Sequence, residues 1–385
     1  MRLTDAVITP VKAQLALLGR MPTAADVAEA LRRCDQVVSD AAVIQVQRAV
    51  RRDSVGAGLL DPLLTLPGVT DVLVNGPDRV YIDRGDGPEL TEVRFESDDA
   101  VRQLAARLAA SVGRRLDDGS PFVDARLASG VRVHAILATV ASPGTCLSLR
   151  VPSTRRLGLD DWVTADSLHP VAAEVLRRVI ETKTAFLVTG GTGSGKTTLL
   201  SALIGLIAPD QRILVVEDSL ELEADHPHLV RLESRPANAE GAGLITMTDL
   251  IRQALRMRPD RIVVGEVRGA ELTDLLRALN TGHEGGCATI HANSVADVPA
   301  RLEALAALGG LNRMATHAQV AAGLSVIIHV AREGRQRFVR EIGLLRRQAS
   351  GLVETVSAWR LCDGVAERGP GWETLDRNLN QAGLT

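Results

Sequence analysis

The residue types and spacings best suited to chemistry lie between Thr184 and Leu200, where the chain reads TAFLVTGGTGSGKTTLL. Gly190, Gly195, Lys196 and Thr197 fit the pattern G-x-x-x-x-G-K-[ST], with Gly191, Thr192, Gly193 and Ser194 at the variable positions and Thr198 following. Such a loop closes backbone N–H groups around a polyphosphate, and side chains at Gly191, Gly193 and Gly195 are expected to block that approach. A helix beginning near Lys196 adds the positive end of its dipole. Lys196 is then the point charge for the β- and γ-phosphates, and the Thr197 hydroxyl is the expected Mg²⁺ ligand. Lysine occurs only at Lys12, Lys183 and Lys196 against a large excess of arginine, which makes a chance match to the whole pattern improbable.

Two further apolar runs end in carboxylates. Ile213-Leu214-Val215-Val216 delivers Glu217 and Asp218, and in open α/β sheets ligands sit beyond the carboxyl ends of strands. The pair therefore either faces the nucleotide or caps a solvated turn. Arg261-Ile262-Val263-Val264-Gly265-Glu266 ends in a glutamate where a Walker-B strand usually ends in aspartate. Glu266 is the candidate to orient or deprotonate an attacking water, with Mg²⁺ coordination shared with Glu217 or left to water. Between Thr281 and Asn293, His283 and His291 are eight residues apart, which suits no common zinc spacing. They either contact the phosphates or serve the structure.

The elements that must carry these groups read as a strand over Ala185–Val188, a helix from Lys196, and further strands over 213–216 and 261–264, preceded by a helix from Val171 to Thr182. Alternation of strand and helix implies a mostly parallel sheet with helices on both faces. Before it, residues 1–55 read as a helical segment, with Thr23 capping Ala24–Arg33, a second helix over Asp40–Arg52 and a solvated basic end at Arg48, Arg51 and Arg52. Residues 56–151 read as a smaller α+β domain: strands at Val72–Val74 and Val80–Ile82, an amphipathic helix over Asp98–Leu116, and strands at Val131–Leu137 and Thr145–Val151. Residues 152–170 read as a linker with Trp162 as a packing anchor, 171–350 as the nucleotide domain with its C-terminal helices and hairpin, and 351–385 as a tail of open role.

The net charge of −3 and the scarcity of aromatic residues, 2% of the chain, argue against stable nucleic-acid binding. Cys34, Cys146, Cys287 and Cys362 form no C-x-x-C pair and point to a reducing compartment without a zinc site. No run approaches about 18 consecutive apolar residues, and Met1–Gly19 lacks the apolar core of a signal peptide, so the expected location is the cytoplasm.

Taken in order, GGTGSGKT, VVEDSLEL, LRMRPDRIVVGEVRG and TGHEGGCATIHANS resemble the Walker A, Asp box, Walker B and His box of the type II/type IV secretion ATPase superfamily, and within it the CpaF/TadA-like ATPases of tight-adherence pili. The likeness extends to PLLTLPGVTDVLVNGPDRVYID and SGVRVHAILATVASPGTCLSLRVPS, covering about residues 55–345. It implies a RecA-like P-loop ATPase domain preceded by a PAS-like α+β domain, assembled as a homohexamer that hydrolyses ATP with Mg²⁺. It also implies Glu266 as the catalytic carboxylate, Glu217 as an Asp-box acid, and Arg132 and Arg150 as phosphate contacts from the N-terminal domain, with Arg256, Arg258 and Arg268 as further arginines of the Walker-B region. The tetracysteine zinc insertion of many type II members is absent. The implied function is to power a type IV or Tad-like pilus, or a related secretion machine, from the inner face of the membrane through a platform protein. A nucleic-acid motor, including one for conjugation, and a nucleotide-gated subunit with little hydrolysis are the alternatives.

Overall fold

The computed structural model describes residues 10, 11, 14, 15, 22–34, 38–44, 46, 56–152, 156–238, 241–334, 336–362 and 364–382. Arg48, Arg51 and Arg52, and most of Met1–Gly19, lie outside the described residues. The chain divides into two units, Met1–Ser153 and Thr154–Thr385.

In the first unit, α1 (Ala24–Arg33) begins where sequence placed it. Thr23 accepts a hydrogen bond from the Asp26 amide at 3.3 Å, and the Asp26 carboxylate accepts one from the Thr23 amide at 2.8 Å. This is a reciprocal cap. Val27 and Leu31 pack with Val11, Leu15, Ala42 and Val46 into a small core of their own. After a short helix α2 (Asp61–Leu64) come β1 (Asp71–Asn75), β2 (Val80–Asp83), β3 (Pro88–Leu90), α3 (Asp98–Ser111), β4 (Phe122–Arg126), β5 (Arg132–Ile136) and β6 (Cys146–Arg150). The strands form one antiparallel sheet, ordered β3-β2-β1-β6-β5-β4. Alternate residues such as Val72, Val74, Val133, Ala135, Leu147 and Leu149 are buried together with Val101, Leu104 and Leu108 of α3. Alternation of that kind leaves the other sheet face polar.

The second unit holds α4 (Leu159–Thr164), α5 (Pro170–Glu181), β7 (Phe186–Thr189), α6 (Lys196–Ile204), β8 (Ile213–Glu217), β9 (Leu229–Glu233), α7 (Met247–Ala254), β10 (Arg261–Val264), α8 (Glu271–Leu279), β11 (Cys287–Ile290), α9 (Val298–Leu308), α10 (Arg313–Gly323), β12 (Val326–Glu333), β13 (Gln336–Arg347), β14 (Val353–Cys362), β15 (Val365–Arg368) and α11 (Trp372–Ala382). Its sheet runs β15-β14-β13-β12-β7-β11-β10-β8-β9. The strands from β12 to β9 are parallel, and β13 to β15 extend the sheet by antiparallel pairing. Successive residues of β7 serve opposite layers. Phe186 and Val188 join a core with Leu176, Leu199, Leu203 and Leu375, whereas Leu187 joins a core with Ile251, Leu275, Leu302 and Val320.

Two stretches differ from the sequence expectation. Leu159 and Trp162, inside the expected linker, are buried in the first of those cores, so α4 belongs to the second unit. Residues after Ser350 form no separate tail: β14 pairs with β13 from Val353 to Arg360, and Trp359, Leu375 and Leu379 are core residues.

Candidate active site

β7, β11, β10 and β8 lie side by side and parallel, so their carboxyl ends share one edge. That edge carries the P-loop after Thr189, His291 after Ile290, Glu266 two residues after Val264, and Glu217 as the last residue of β8. It is the edge at which open α/β sheets bind ligands.

The P-loop glycines do not play equal parts. Gly190 has φ 153°, and a Cβ there would sit 2.2 Å from the Val330 carbonyl oxygen of β12 and 2.6 Å from Ser194 Oγ. Gly193 and Gly195 have φ of 69° and 99°, a region that favours glycine. A Cβ on Gly191 would meet no protein atom. The close-packed glycine is thus Gly190, and Gly191, expected to be essential for space, has room on the protein side. Lys196 opens α6 and is buried. Its ammonium donates to the carbonyls of Gly190 (3.1 Å) and Gly191 (2.8 Å). Burial pulls its pKa below the usual lysine range, with Glu266 opposing and Arg268 adding to the effect. Thr197 is half-buried and Thr198 exposed.

Glu266 is pinned through its neighbours. The Gly265 amide donates to Val216, Thr289 Oγ1 donates to the Gly265 carbonyl at 2.7 Å, and the Val267 amide donates to Thr289. One Glu266 carboxylate oxygen accepts from Arg268 at 2.6 Å, and the other lies 2.5 Å from His291 Nε2, a close approach not aligned as a hydrogen bond and ionic only when the imidazole is protonated. Burial pushes the Glu266 pKa up, but Arg268, His291 and Lys196 outweigh it and hold the carboxyl below the usual range. Burial and the Lys196 charge hold His291 below the usual imidazole range. Glu266 is therefore ionised at neutral pH.

Glu217 has a different setting. It is 3% exposed, and its Oε1 accepts from the amides of Glu221 and Leu222, each at 2.8 Å, while Oε2 lies 3.5 Å from Arg231. Burial pushes its pKa up to about 7, against the pull of the Leu222 amide and Arg231. Oε1 is taken up by the 218–222 turn, which the carboxylate ties down, and Oε2 keeps only the long approach to Arg231. Thr197, at the start of the helix, fits a Mg²⁺ ion.

His283 is also placed away from the phosphates. It precedes β11, whereas His291 follows it, and the four strand residues between them span about 13 Å. His283 Nδ1 lies 3.2 Å from the Ala278 carbonyl, and nearby Gly285 packs against Arg261 and Lys183 at the starts of β10 and β7. It lies at the opposite edge of the sheet from His291. Arg256 and Arg258, ahead of β10, belong to that edge as well, and only Arg268 reaches Glu266. Arg132 and Arg150 are register partners on β5 and β6 of the first unit, and Arg150 pairs with Asp71 at 3.3 Å.

Residues 53–363 match the family described as "Type II/IV secretion system protein". The chain belongs to this family. A "Putative conjugal transfer protein" of Mycobacterium tuberculosis is 51% identical over 354 residues, covering 90% of this chain and all of that protein. The "Conjugal transfer protein TrbB" of Rhizobium radiobacter is 32% identical over 278 residues, 71% of this chain and 83% of that one. In fold, the chain is similar to the Legionella pneumophila ATPase DotB, with TM-score 0.52, 19% identity, and coverage of 85% and 84%.

Several residues of this family member's site carried no sequence motif. Arg337 of β13 donates to the Gly193 carbonyl at 2.9 Å, and the Trp162 ring lies 3.2 Å from where a Gly195 Cβ would be. An open cavity of about 500 Å³ is lined by Gly190, Gly191, His291, Asn293, Asp297 and Arg301, and one of about 470 Å³ by Gly191, Thr192, Ser194, Asn293 and His329. Sequence distance hid these residues, because they reach the loop through strand and helix packing. Among the described residues, no group of three or more His, Cys, Asp or Glu side chains is placed to hold a metal ion, and no helix is long and apolar enough to cross a membrane.

Proposed function

We propose that the chain is an ATP hydrolase that does work on a membrane-embedded machine of the type II/IV secretion class. The observation that supports this most directly is the meeting of Lys196, ionised Glu266, Arg268 and His291 at one sheet edge beside a P-loop. Among the described residues Lys196 is bonded to loop carbonyls alone, a setting suited to phosphate oxygens. Thr197 would hold Mg²⁺, which neutralises charge on the β- and γ-oxygens when bound. Lys196 exchanges its two carbonyl partners for phosphate. Glu266 takes the proton of the attacking water, with Arg268 and His291 fixing its orientation. Arg132 and Arg150 supply positive charge to the phosphates during turnover.

Lys196→Ala is expected to abolish ATP binding, and Glu266→Gln to keep ATP bound while stopping turnover, read by equilibrium binding and by phosphate release. Normal hydrolysis by Glu266→Gln would remove the base from the scheme. A wild-type rate no faster than that of Lys196→Ala would favour a nucleotide-gated subunit.

For the machine itself, resemblance pointed first to a Tad-like pilus. The names of these relatives favour conjugal transfer as a second reading. In either case we place the protein as a homohexamer at the cytoplasmic face of the membrane, held by a platform protein and without stable nucleic-acid binding. Pull-down of a polytopic membrane protein with pilin-like proteins supports the pilus, and a relaxase or coupling protein supports conjugation. Tight, salt-sensitive DNA binding by the purified protein would revise the last point.

A further inference from the structure

β7 lies between β12 and β11, and each neighbour brings a histidine to the P-loop. His291 follows β11. His329 stands opposite Thr189 in the β12–β7 register, immediately before a bulge that turns the Val330 carbonyl onto Gly190. His329 is 7% exposed, and its Nδ1 is buried with no hydrogen-bond partner among the described residues. Ser194, 2% exposed, has its Oγ in the same condition. Both residues line the cavity that also holds Gly191, Thr192 and Asn293. Nearly all buried polar groups in folded proteins are paired, so two orphans lining one cavity at a ligand loop mark a hydrogen bond made in another state.

We propose that His329 is a positioning residue of the phosphate site, its Nδ1 accepting the Ser194 hydroxyl when nucleotide draws Lys196 off the Gly190 and Gly191 carbonyls. The inference rests on the ATP-site reading above. Lys196 holds the loop through those carbonyls, and once it turns to phosphate the loop needs another tether. His329 is suited to the task as a neutral imidazole. Burial lowers its pKa, Arg340 on β13 and Lys196 on α6 lower it further, and Asp297 ahead of α9 opposes them. A purely structural histidine would fill space between the layers and leave nucleotide affinity unchanged.

The test is titration of the full chain with a fluorescent ATP analogue, alongside steady-state kinetics. His329→Ala and Ser194→Ala are each expected to weaken binding about tenfold, the worth of one buried hydrogen bond. The double variant is expected to be no weaker than either single one, since both remove the same bond. His329→Asn sets an amide near the place of Nδ1 and restores affinity to within about threefold, whereas His329→Gln, which reaches the place of Nε2, does not; kcat at saturation changes less than KM. Affinity within twofold of wild type in His329→Ala, or additive losses in the double variant, would overturn the proposal. If the alanine variant fails to fold, equal affinity of the Asn and Gln variants overturns it instead. Should wild type bind ATP no better than Lys196→Ala, the ATP site itself falls and the inference with it; should wild type bind well and the His329 variants match it, the inference alone falls.

Discussion

Glu217 shows how one side chain can be needed by the fold and taxed by it at the same time. Its carboxylate ties down the turn after β8 but is held almost wholly out of water, and its pKa rises to about 7. Between the ordinary glutamate value and pH 7 the folded chain binds more protons at this position than the unfolded chain. Stability contributed here is therefore lost as pH rises through that window and is level above it. Glu217→Gln keeps a carbonyl acceptor for the Glu221 and Leu222 amides and removes the titration. Its stability relative to wild type is expected to improve from pH 5 to pH 8 by up to about 3 kcal/mol, read from urea midpoints. A stability difference independent of pH would refute that account. Sequence placed Glu217 and Glu266 at strand ends with the same warrant, and only packing tells them apart: Glu217 turns under its own loop, and Glu266 faces Lys196. The two histidines separate for a related reason. A spacing of eight residues spans β11, so one imidazole lies at each end of the strand.

The turn from β7 to α6 is the element on which the site depends, and its two leading glycines make opposite predictions. Alanine at Gly190 would put Cβ 2.2 Å from the Val330 carbonyl at φ 153°, and backbone of two paired strands cannot both give way. Gly190→Ala is expected to cost more than about 3 kcal/mol, the scale of severe overpacking, and to lower the soluble yield. Gly191→Ala meets no protein atom and is expected to stay within about 0.5 kcal/mol of wild type in a denaturant melt, any deficit appearing in nucleotide affinity. Equal stability of the two variants would mean that β12 does not press on the loop. The motif showed that glycines belong here, but which one is compressed depends on β12, paired to β7 from about 140 residues away. The same distance concealed β14 and α11. Trp372, Leu375 and Leu379 of α11 recur at helical spacing, but that local pattern does not say which core they enter, and Trp359 and Leu375 complete the core under α5 and α6.

At the scale of the whole molecule, the candidate residues are divided between two units with separate cores: the loop, Glu266 and His291 belong to the second, and Arg132 and Arg150 to the first. β1, β2, β5 and β6 of the first sheet and β7, β8 and β10 of the second were legible because period-2 alternation marks a one-sided sheet and continuous apolar runs mark a two-sided one, whereas β3, β4 and β9 carry neither signal and were not read. The division makes the arginine pair the means of asking whether the units act together. Arg150 is 63% exposed and its pair with Asp71 is of the surface type, worth little to stability, so alanine there should leave the first unit folded. If guanidinium groups stabilise charge that develops on the phosphates, their loss falls on the transition state more than on bound ATP. Arg132→Ala/Arg150→Ala is expected to lower kcat by at least about a hundredfold while ATP affinity changes a few-fold, and lysine at both positions should recover only part of the rate, since a point charge does not reproduce a bidentate fork. Matched circular dichroism melts exclude unfolding as the cause. A kcat within threefold of wild type would confine catalysis to the second unit and leave the arginines as structure of the first.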